Sequence, residues 1–334
     1  MITRQLFEDL SPFIGNTPLL EIRFRYRGQS RRIFAKAEAY NMTGSIKDRV
    51  AFYILQKAYA QGTIHPGDTI AEATSGNTGI SFSAIGRYLG HPVVIFMPDW
   101  MSRERIALME SFGATVRLVS REEGGFLGSI AMAEDLAKAG GVFLPRQFEN
   151  EDNIEAHFYG TGEEIVRQMA GLGLTPGGIV AGVGTGGTVV GIGRRLKQAN
   201  PSAKVFPLEP ANSPTLSTGY KVGAHRIQGI SDEFVPDIIA RNPVDDIIAV
   251  DDGDSIRMAR MLSQRFGLGV GVSSGANFLG CLKAQELLGK DGNIVTVFAD
   301  DQKKYLSTDY SNPPAEEDGM LSKDVELLQM IVHR

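Results

Sequence analysis

A chain of 334 residues, 43% hydrophobic and 22% charged, is long enough for about two globular domains and apolar enough to bury their cores. Its net charge of -5 argues against a nucleic-acid binder, since phosphate backbones are bound by clustered positive charge. The chain has no apolar run of the roughly 20 residues that span a bilayer and no signal-like N-terminus, so we expect a cytoplasmic protein without membrane contact. It has only one cysteine, Cys281, so we expect no intrachain disulfide.

Short apolar runs alternate with amphipathic stretches along the chain. The predicted strands are Thr69–Ala73, Pro92–Met97, Thr115–Val119, Gly178–Val183, Lys204–Leu208, Ile247–Val250 and Asn293–Phe298. Predicted helices follow the TSGNTG and GTGGT turns and lie near Ser102–Phe112 and Asp254–Phe266. This alternation is typical of βαβ units, and continuous apolar strands indicate parallel sheets that are buried on both faces. The sequence therefore predicts an α/β protein with two parallel-sheet domains that divide near Gln147–Glu155.

Lys47 lies in the segment NMTGSIKDR, just before the amphipathic stretch VAFYILQKAYAQ. A helix N-terminus is unfavourable for cations, so the pKa of a lysine there is lowered. A neutral amine is what a Schiff-base lysine needs. The alternative is a solvated lysine paired with Asp48, and the position of Lys47 alone leaves both interpretations open.

Two further loops follow predicted strands, at the edge where open α/β sheets bind ligands. The loop Thr74–Gly79 (TSGNTG) offers hydroxyl, amide and backbone donors that suit a carboxylate, or it merely caps a helix. The loop Gly184–Thr188 (GTGGT) can wrap closely around a phosphate at a helix start, or it is a tight turn. A third loop, Gly271–Ala276, has helix capping as its default interpretation.

The loop Gly184–Thr188, which we call the phosphate loop, is also part of a match to the dinucleotide pattern G-x-G-x-x-G. The three glycines of that match are Gly182, Gly184 and Gly187. Glu209 lies at the end of the next predicted strand, where an acid can bind a ribose. A nicotinamide-dependent oxidoreductase is therefore an alternative enzyme class, although it leaves Lys47 unexplained.

Taken together, these segments resemble the cysteine synthase branch of the fold-type-II pyridoxal-phosphate (PLP) enzymes, which includes O-acetylserine sulfhydrylase and cystathionine β-synthase. The similarity extends from IGNTPL (Ile14–Leu19) to KYLST (Lys304–Thr308), with NMTGSIKDR, TSGNTG, GTGGT, RIQGI and GVSSGA in the family's order. The resemblance implies a tryptophan synthase β-like fold with the cofactor in a cleft between two open twisted parallel-sheet domains. It implies an N-terminal domain of residues 40–150, a larger phosphate-binding domain of residues 1–39 and 151–320, and a C-terminal tail of residues 321–334.

The resemblance also implies a role for each candidate site residue. Lys47 would form the internal aldimine, Asn77 would contact the cofactor's 3′-oxygen, and Ser273 would meet the pyridine nitrogen. The phosphate would be held by Gly184, Thr185, Gly186, Gly187 and Thr188, and the substrate by Thr74, Ser75, Gly76, Thr78, Gln147 and Gly229. A neutral serine at the pyridine nitrogen makes the ring a weaker electron sink, which favours β-elimination over transamination.

The implied reaction is β-replacement on O-acetylserine, serine or cysteine through an α-aminoacrylate, foremost the cysteine synthase reaction with sulfide. Lys47 would remove and return the Cα proton, and the TSGNTG loop would close on the substrate. A cystathionine β-synthase-like condensation with a thiol is an alternative. The family also implies a homodimer and the capacity to bind a C-terminal peptide of serine acetyltransferase. A catalytically silent partner-binding protein is therefore a further alternative.

The chain departs from the family pattern after the Gln-Gly-Ile segment, where Asp232 and Glu233 are adjacent. Either this is a solvated loop, or Asp232 faces the active site and deprotonates water or a thiol. Its charge would repel hydrosulfide, and with water as the nucleophile cysteine would become serine and release sulfide.

A second departure is Ala299–Lys304 (ADDQKK), where cysteine synthases have a Ser-Gly-rich form. This segment indicates an altered pocket floor beside Ser273 or a charged turn. The sequence gives no sign of a metal site, because its five histidines have no metal-ligand spacing: His65, His91, His157, His225 and His333.

Overall fold

The structure is a computed structural model that describes residues 2–334, which form two β-sheets with helices packed against them. The strands are β1 (Leu19–Tyr26), β2 (Gln29–Ala37), β3 (Thr69–Ala73), β4 (Val93–Pro98), β5 (Thr115–Val119), β6 (Val142–Phe143), β7 (Gly178–Gly182), β8 (Lys204–Pro210), β9 (Ile248–Val250), β10 (Ile294–Phe298) and β11 (Val325–His333). All the predicted strands are present, and their bounds differ from the prediction by at most two residues.

The helices connect these strands in the order that the sequence predicts. They are α1 (Ile2–Leu10), α2 (Lys47–Gln61), α3 (Asn77–Tyr88), α4 (Arg103–Ser111), α5 (Gly125–Ala137), α6 (Glu151–Ala156), α7 (Glu163–Gly171), α8 (Gly187–Ala199), α9 (Thr215–Thr218), α10 (Asp237–Ala240), α11 (Asp252–Phe266) and α12 (Val272–Leu288). Short 3-10 helices are Ser11–Phe13, Glu38–Tyr40, Gln302–Tyr305 and Leu321–Asp324, and a π-helix spans His157–Gly162.

The smaller sheet has the order β5-β4-β3-β6 and is parallel throughout. The larger sheet has the order β11-β1-β2-β10-β7-β8-β9. Its strands β10, β7, β8 and β9 run parallel, as predicted, and β2 pairs in parallel with β10. The inner strands β3, β4, β7 and β10 are buried, and the α/β fold with parallel sheets is confirmed.

The edge formed by β11, β1 and β2 is antiparallel, which the sequence interpretation did not include. A two-residue turn joins β1 to β2, with positive φ angles at Arg27 (50°) and Gly28 (75°). Tight hairpins require this geometry, but an Arg-Gly pair is a weaker signal for it than Asn-Gly. Residues 321–334, predicted to be a C-terminal tail, instead contribute β11 to the sheet, because Leu327 and Met330 contact the larger core.

The carboxyl ends of the parallel strands determine where the site lies. β3 leads through Thr74–Gly76 into α3, and β7 leads through Val183–Gly186 into α8. α12 begins at Val272, and β10 ends just before Ala299. These connections bring helix N-termini, with their free backbone N–H groups, to the same region. The exact division into two domains stays a prediction.

Candidate active site

A cleft at these strand ends brings together most of the residues that the sequence singles out. It is lined by Lys47, Thr74, Ser75, Asn77, Thr78, Gln147, Gly184, Thr185, Gly186, Thr188, Gly229, Asp232 and Ser273. Gly76 and Gly187 belong to the same loops but do not line its wall. The wall also contains residues that were not predicted, among them Arg105, Gln228, Asn277 and Tyr305.

The loop Gly184–Thr188 is packed so tightly that only glycine fits at several of its positions. A Cβ on Gly184 would lie 2.6 Å from the Gly229 carbonyl oxygen, and one on Gly187 would lie 2.1 Å from Asn153 Oδ1. Gly186 has a φ of 90° and forms the N-cap of α8. Backbone N–H groups at this helix start are thus accessible to an anion, and the loop fits the phosphate of the predicted cofactor.

Two side chains behind the loop support its threonines. Asn153 Nδ2 donates to Thr185 Oγ1 at 2.9 Å, while Asn153 Oδ1 is buried without a hydrogen-bond partner among the described residues. His157 Nε2 lies 3.2 Å from Thr188 Oγ1, and its Nδ1 lies 3.0 Å from Thr161 Oγ1. Burial lowers the pKa of His157 well below its ordinary value, so this imidazole is neutral. Neither residue was predicted, because both come from the distant α6 and π-helix region.

Lys47 is the first residue of α2 and extends into the cleft. Burial lowers the pKa of its ammonium group to about 8, although the negative charges of Asp300 and Asp232 partly oppose that shift. About a tenth of the amine is thus neutral at pH 7. A lysine with this property beside a phosphate loop fits the aldehyde of pyridoxal phosphate.

The TSGNTG loop is held by hydrogen bonds from its own residues and from Gln147. Thr74 Oγ1 accepts the Gly76 N–H at 3.0 Å, and Thr78 Oγ1 donates to Gln147 Oε1 at 2.6 Å. Gln147 Nε2 donates to the Ala73 carbonyl at 2.8 Å. Gln147 therefore orients the loop through Thr78. Its second amide N–H is left for the predicted contact with a substrate carboxylate.

Asp232 lines the cleft with Lys47 and is half-buried. Burial and the neighbouring Glu233 raise the pKa of its carboxyl group to about 7, although Lys221 and Lys47 oppose the shift. Asp232 is therefore poised to exchange a proton near neutral pH. Asp232 thus lines the cleft, as the second interpretation of this segment predicts, and its catalytic role stays a prediction.

The residue before Asp232 has an unusual backbone conformation. Ser231 has a φ of 53°, in the left-handed region that non-glycine residues seldom adopt. Its N–H donates to the Val183 carbonyl at 2.7 Å, and its hydroxyl donates to the Ser213 carbonyl at 3.1 Å. His225 Nε2 donates to the Ser231 carbonyl at 3.0 Å. These contacts hold a strained turn that aims Asp232 into the cleft.

On the other side of the cleft, the Asn77 amide is hydrogen-bonded at both ends. Asn77 Nδ2 donates to Asp300 Oδ2 at 2.8 Å, and Lys304 Nζ donates to Asn77 Oδ1 at 3.0 Å. Tyr305 OH also donates to Asp300 Oδ2, at 2.7 Å. Asp300 and Lys304 of the ADDQKK segment therefore contact a site residue, so the segment is not merely a charged turn. Asn77 keeps one N–H for the predicted contact with the cofactor.

Arg105 is a buried cation that sequence reasoning missed. It is 2% exposed and its guanidinium lies 4.6 Å from the centre of the Tyr305 ring. One Nη donates to Ser102 Oγ at 3.0 Å and also contacts Gln228. Its aliphatic part packs on Gly76, where a Cβ would lie 2.2 Å from Arg105 Cδ. Only the three-dimensional packing of α4 against the TSGNTG loop shows this position.

Glu209, the acid that would bind a ribose in a nicotinamide site, already accepts hydrogen bonds from the protein. Glu209 is buried, accepts the N–H of Leu216 at 2.7 Å, and also accepts the Ser217 hydroxyl. It therefore caps the start of α9 and is not free to bind a ribose. Within residues 2–334, no group of three or more His, Cys, Asp or Glu side chains is arranged to hold a metal ion. None of the helices in that range is long and apolar enough to cross a bilayer.

Comparison with known proteins identifies relatives over nearly the full length of the chain. A family model described as pyridoxal-phosphate dependent enzyme matches residues 10–300. The cysteine synthase of Staphylococcus aureus is 37% identical over 301 residues, which cover 90% of this chain and 96% of that protein. A probable cysteine synthase of Bacillus subtilis is 38% identical over 306 residues, covering 91% of this chain and 98% of that protein.

A solved structure provides a closer match than these sequences. The hydrogen sulfide-producing enzyme of Fusobacterium nucleatum is 57% identical and superposes with a TM-score of 0.95, covering 98% of this chain and 99% of that chain. A D232N mutant of that enzyme, in complex with an α-aminoacrylate intermediate, superposes with a TM-score of 0.96.

Proposed function

The chain belongs to the family of pyridoxal-phosphate dependent enzymes, and we propose that it converts L-cysteine and water into L-serine and hydrogen sulfide. The predicted cofactor and the predicted enzyme class follow from this membership and are confirmed. The substrate, the nucleophile and the roles of individual residues are the proposal. The observation that carries it is the presence of Asp232, a carboxylate with a pKa of about 7, in the same cleft as Lys47.

The loop residues bind and orient the two ligands. Gly184, Thr185, Gly186, Gly187 and Thr188 would hold the cofactor phosphate at the start of α8, and Ser273 would lie at the pyridine ring. The substrate carboxylate would bind to the TSGNTG loop, with Gln147 completing its donors. When bound, pyridoxal phosphate delocalises the electron pair that remains at Cα after deprotonation.

Lys47 would carry out the proton transfers at Cα. Its Nζ would hold the cofactor in the resting enzyme, and the amine, once released, would take the Cα proton of the amino acid. The Cβ–S bond would break, and sulfur would leave as hydrosulfide, which takes a proton from solvent to give hydrogen sulfide. In the second half-reaction Lys47 returns a proton to Cα.

Asp232 would act on water in that second half-reaction. Its carboxylate accepts one proton from water while the water oxygen bonds to Cβ, so cysteine plus water gives serine plus hydrogen sulfide. The same negative charge disfavours the approach of hydrosulfide to Cβ, which opposes the reverse reaction. The 57% identity to a hydrogen sulfide-producing enzyme supports this direction of sulfur flow.

A second candidate reaction is cysteine synthesis from O-acetylserine and sulfide. The identities of 37% and 38% to a cysteine synthase and a probable cysteine synthase favour it, and it requires the same Lys47, phosphate loop and carboxylate loop. It gives Asp232 no function. A homodimer, a bound serine acetyltransferase peptide and a cytoplasmic location stay predictions.

The proposed function is tested by supplying L-cysteine to the holoenzyme in ¹⁸O-labelled water. We expect hydrogen sulfide together with serine that carries the label in its side-chain hydroxyl. Asp232→Asn should lose most of this turnover, whereas Glu233→Gln, which changes the adjacent carboxylate, should retain it. Full turnover by Asp232→Asn would refute the role of Asp232. Efficient cysteine formation from O-acetylserine and sulfide, without serine formation from cysteine, would favour the second candidate.

A further inference from the structure

Asp300 is a buried carboxylate beside Lys47 that the proposed chemistry does not use. Its side chain is 0% exposed. Ser45 and Asp300 are partners in an antiparallel bridge, and the Ile46 N–H donates to the Ala299 carbonyl at 2.9 Å. The chain segment that carries Lys47 is thus attached directly to the segment that carries Asp300.

The hydrogen bonds of Asp300 are unevenly distributed between its oxygens. Oδ2 accepts from Tyr305 OH at 2.7 Å and from Asn77 Nδ2 at 2.8 Å. Oδ1 is buried and has no hydrogen-bond partner within the described part of the chain. It points toward the segment before Ser273, since a Cβ on Gly271 would lie 2.0 Å from it. A buried carboxylate oxygen without a partner is costly, which is typical of a functional position.

Lys304 completes the arrangement from the other side of Asn77. It is 3% exposed, and its Nζ donates to Asn77 Oδ1 at 3.0 Å and to the Gly44 carbonyl at 3.1 Å. If the Asn77 amide were flipped, its N–H groups would point at the Lys304 ammonium group and its oxygen at the Asp300 carboxylate. Lys304 and Asp300 therefore fix a single orientation of the amide. In that orientation one N–H is left for a ligand in the cleft.

We propose that Asp300 is a positioning residue that fixes the Asn77 amide for the cofactor and places a buried negative charge beside the segment that carries Lys47. The first role follows from its hydrogen bond to Asn77, and the second from its buried charge beside the Lys47 segment. The inference rests on the proposed function only in taking Lys47 as the lysine that binds the cofactor.

The other groups around Lys47 do not supply this charge in the same way. Asp232, on the loop across the cleft, lies on the side where substrate reacts and changes protonation near pH 7. His157 is buried and neutral, and Lys304 is a cation whose partner is Asn77. Of the two carboxylates that raise the pKa of Lys47, Asp300 has the larger effect. Its charge therefore makes the larger contribution against the effect of desolvation on the pKa of Lys47.

The apoprotein provides a test that does not depend on catalysis. The pKa of Lys47 is measured from the pH dependence of its acetylation by a trace of acetic anhydride, with mass spectrometry of the Lys47 peptide. Asp300→Asn should lower this pKa by about one unit, because an opposite charge at close range is removed. Asp301→Asn is the matched control. Its side chain caps the helix Gln302–Tyr305, and the substitution should leave the pKa of Lys47 unchanged.

The holoenzyme provides a second readout. Asp300→Asn and Lys304→Met should each weaken cofactor binding about tenfold, measured by titrating the apoprotein with pyridoxal phosphate and following its absorbance. The Asp301→Asn variant should bind like the wild type. Circular dichroism of each apoprotein verifies folding, and Asp300→Ser replaces Asp300→Asn if that variant does not fold.

The proposal is overturned if the pKa of Lys47 is the same in the Asp300 variant and the wild type, or if Asp301→Asn shifts it equally. Failure of the proposed function gives a different result. The wild-type holoenzyme would then form no labelled serine from L-cysteine, while the shift in the Asp300→Asn apoprotein would still be observed.

Discussion

At the residue scale, the site depends on a few side chains in energetically unfavourable environments. Lys47 and Asp232 have pKa values shifted toward neutrality, to about 8 and about 7, mainly because the protein partly shields them from water. Ser231 has a left-handed backbone conformation that costs roughly 1–2 kcal/mol in a non-glycine residue. Such features persist only where surrounding contacts compensate for them, and here all three concern the position or protonation of the proposed acid–base pair.

Replacing Ser231 by alanine tests whether the strained turn positions Asp232. The variant loses the hydrogen bond to the Ser213 carbonyl but keeps the unfavourable φ. We expect the turn to relax and the turnover of cysteine to serine to fall about fivefold, since one lost hydrogen bond costs about 1 kcal/mol. Cofactor absorbance should be unchanged. Ser202→Ala, an exposed serine, is the control, and unaltered turnover in Ser231→Ala would contradict the positioning role.

The pKa of Asp232 predicts how the reaction depends on pH. As a base toward water, Asp232 must be ionised, and burial raises its pKa to about 7. Turnover of cysteine should therefore rise with pH through about 7 and level off above it. Asp232→Asn should lack this limb of the profile at its lower rate. A wild-type profile that is flat across that range would argue against a proton transfer by Asp232.

At the element scale, the phosphate loop shows why the connection of a strand to a helix makes a site. β7 ends at Gly182 and α8 begins at Gly187, so the loop between them places helix N–H groups at the cleft. Asn153 and His157 fill the space behind the loop. Asn153 leaves no room for a Cβ at Gly187, and the Gly229 carbonyl leaves none at Gly184, which explains these two glycines.

Gly187→Ala should strongly impair cofactor binding. Its Cβ would lie 2.1 Å from Asn153 Oδ1, so either the helix start or Asn153 must move. We expect pyridoxal phosphate to bind at least tenfold more weakly in a titration of the apoprotein. Gly171→Ala is the matched control, because nothing lies within 4 Å of the added Cβ. Equal affinity of the two variants would show that the loop tolerates displacement.

The sequence predicts the elements near the site better than their surroundings. β3 and β5 are found at the predicted residues, because each is a short apolar run bounded by turns. Lys47, the TSGNTG loop and the phosphate loop also meet as expected, since the carboxyl ends of parallel strands converge. Arg105 and the strand β11 were missed. Their positions depend on contacts with residues far away in the chain, for which a single sequence gives no periodic signal.

At the scale of the whole molecule, a buried ionic cluster connects the two cores. Arg49, two residues after Lys47, donates to Glu38 at 2.6 Å and to Glu164 at 2.7 Å. Lys36 on β2 also donates to Glu164, at 2.8 Å. Arg49 lies on α2, which packs in the core of the smaller sheet, and Glu164 lies on α7 in the core of the larger one. The helix that carries Lys47 is thus fixed to both sheets.

Protonation of Glu164 should weaken this connection as the pH falls. Burial alone would raise its pKa, but the hydrogen bonds and charge of Arg49, together with Lys36, lower it from 4.5 to about 2. A carboxyl group whose pKa is lowered by folding stabilises the native state above about pH 4.5, and this contribution is lost as the pH falls toward 2. The shift corresponds to about 3 kcal/mol. Glu164→Gln should therefore reduce the free energy of unfolding in urea by about that amount at pH 7, and by less near pH 3, where the wild type has lost part of the interaction.

Glu163→Gln removes only the surface pair with Arg195 and should cost at most about 1 kcal/mol at either pH. An equal deficit of Glu164→Gln at both pH values would mean that packing of this side chain, and not its charge, joins the two cores.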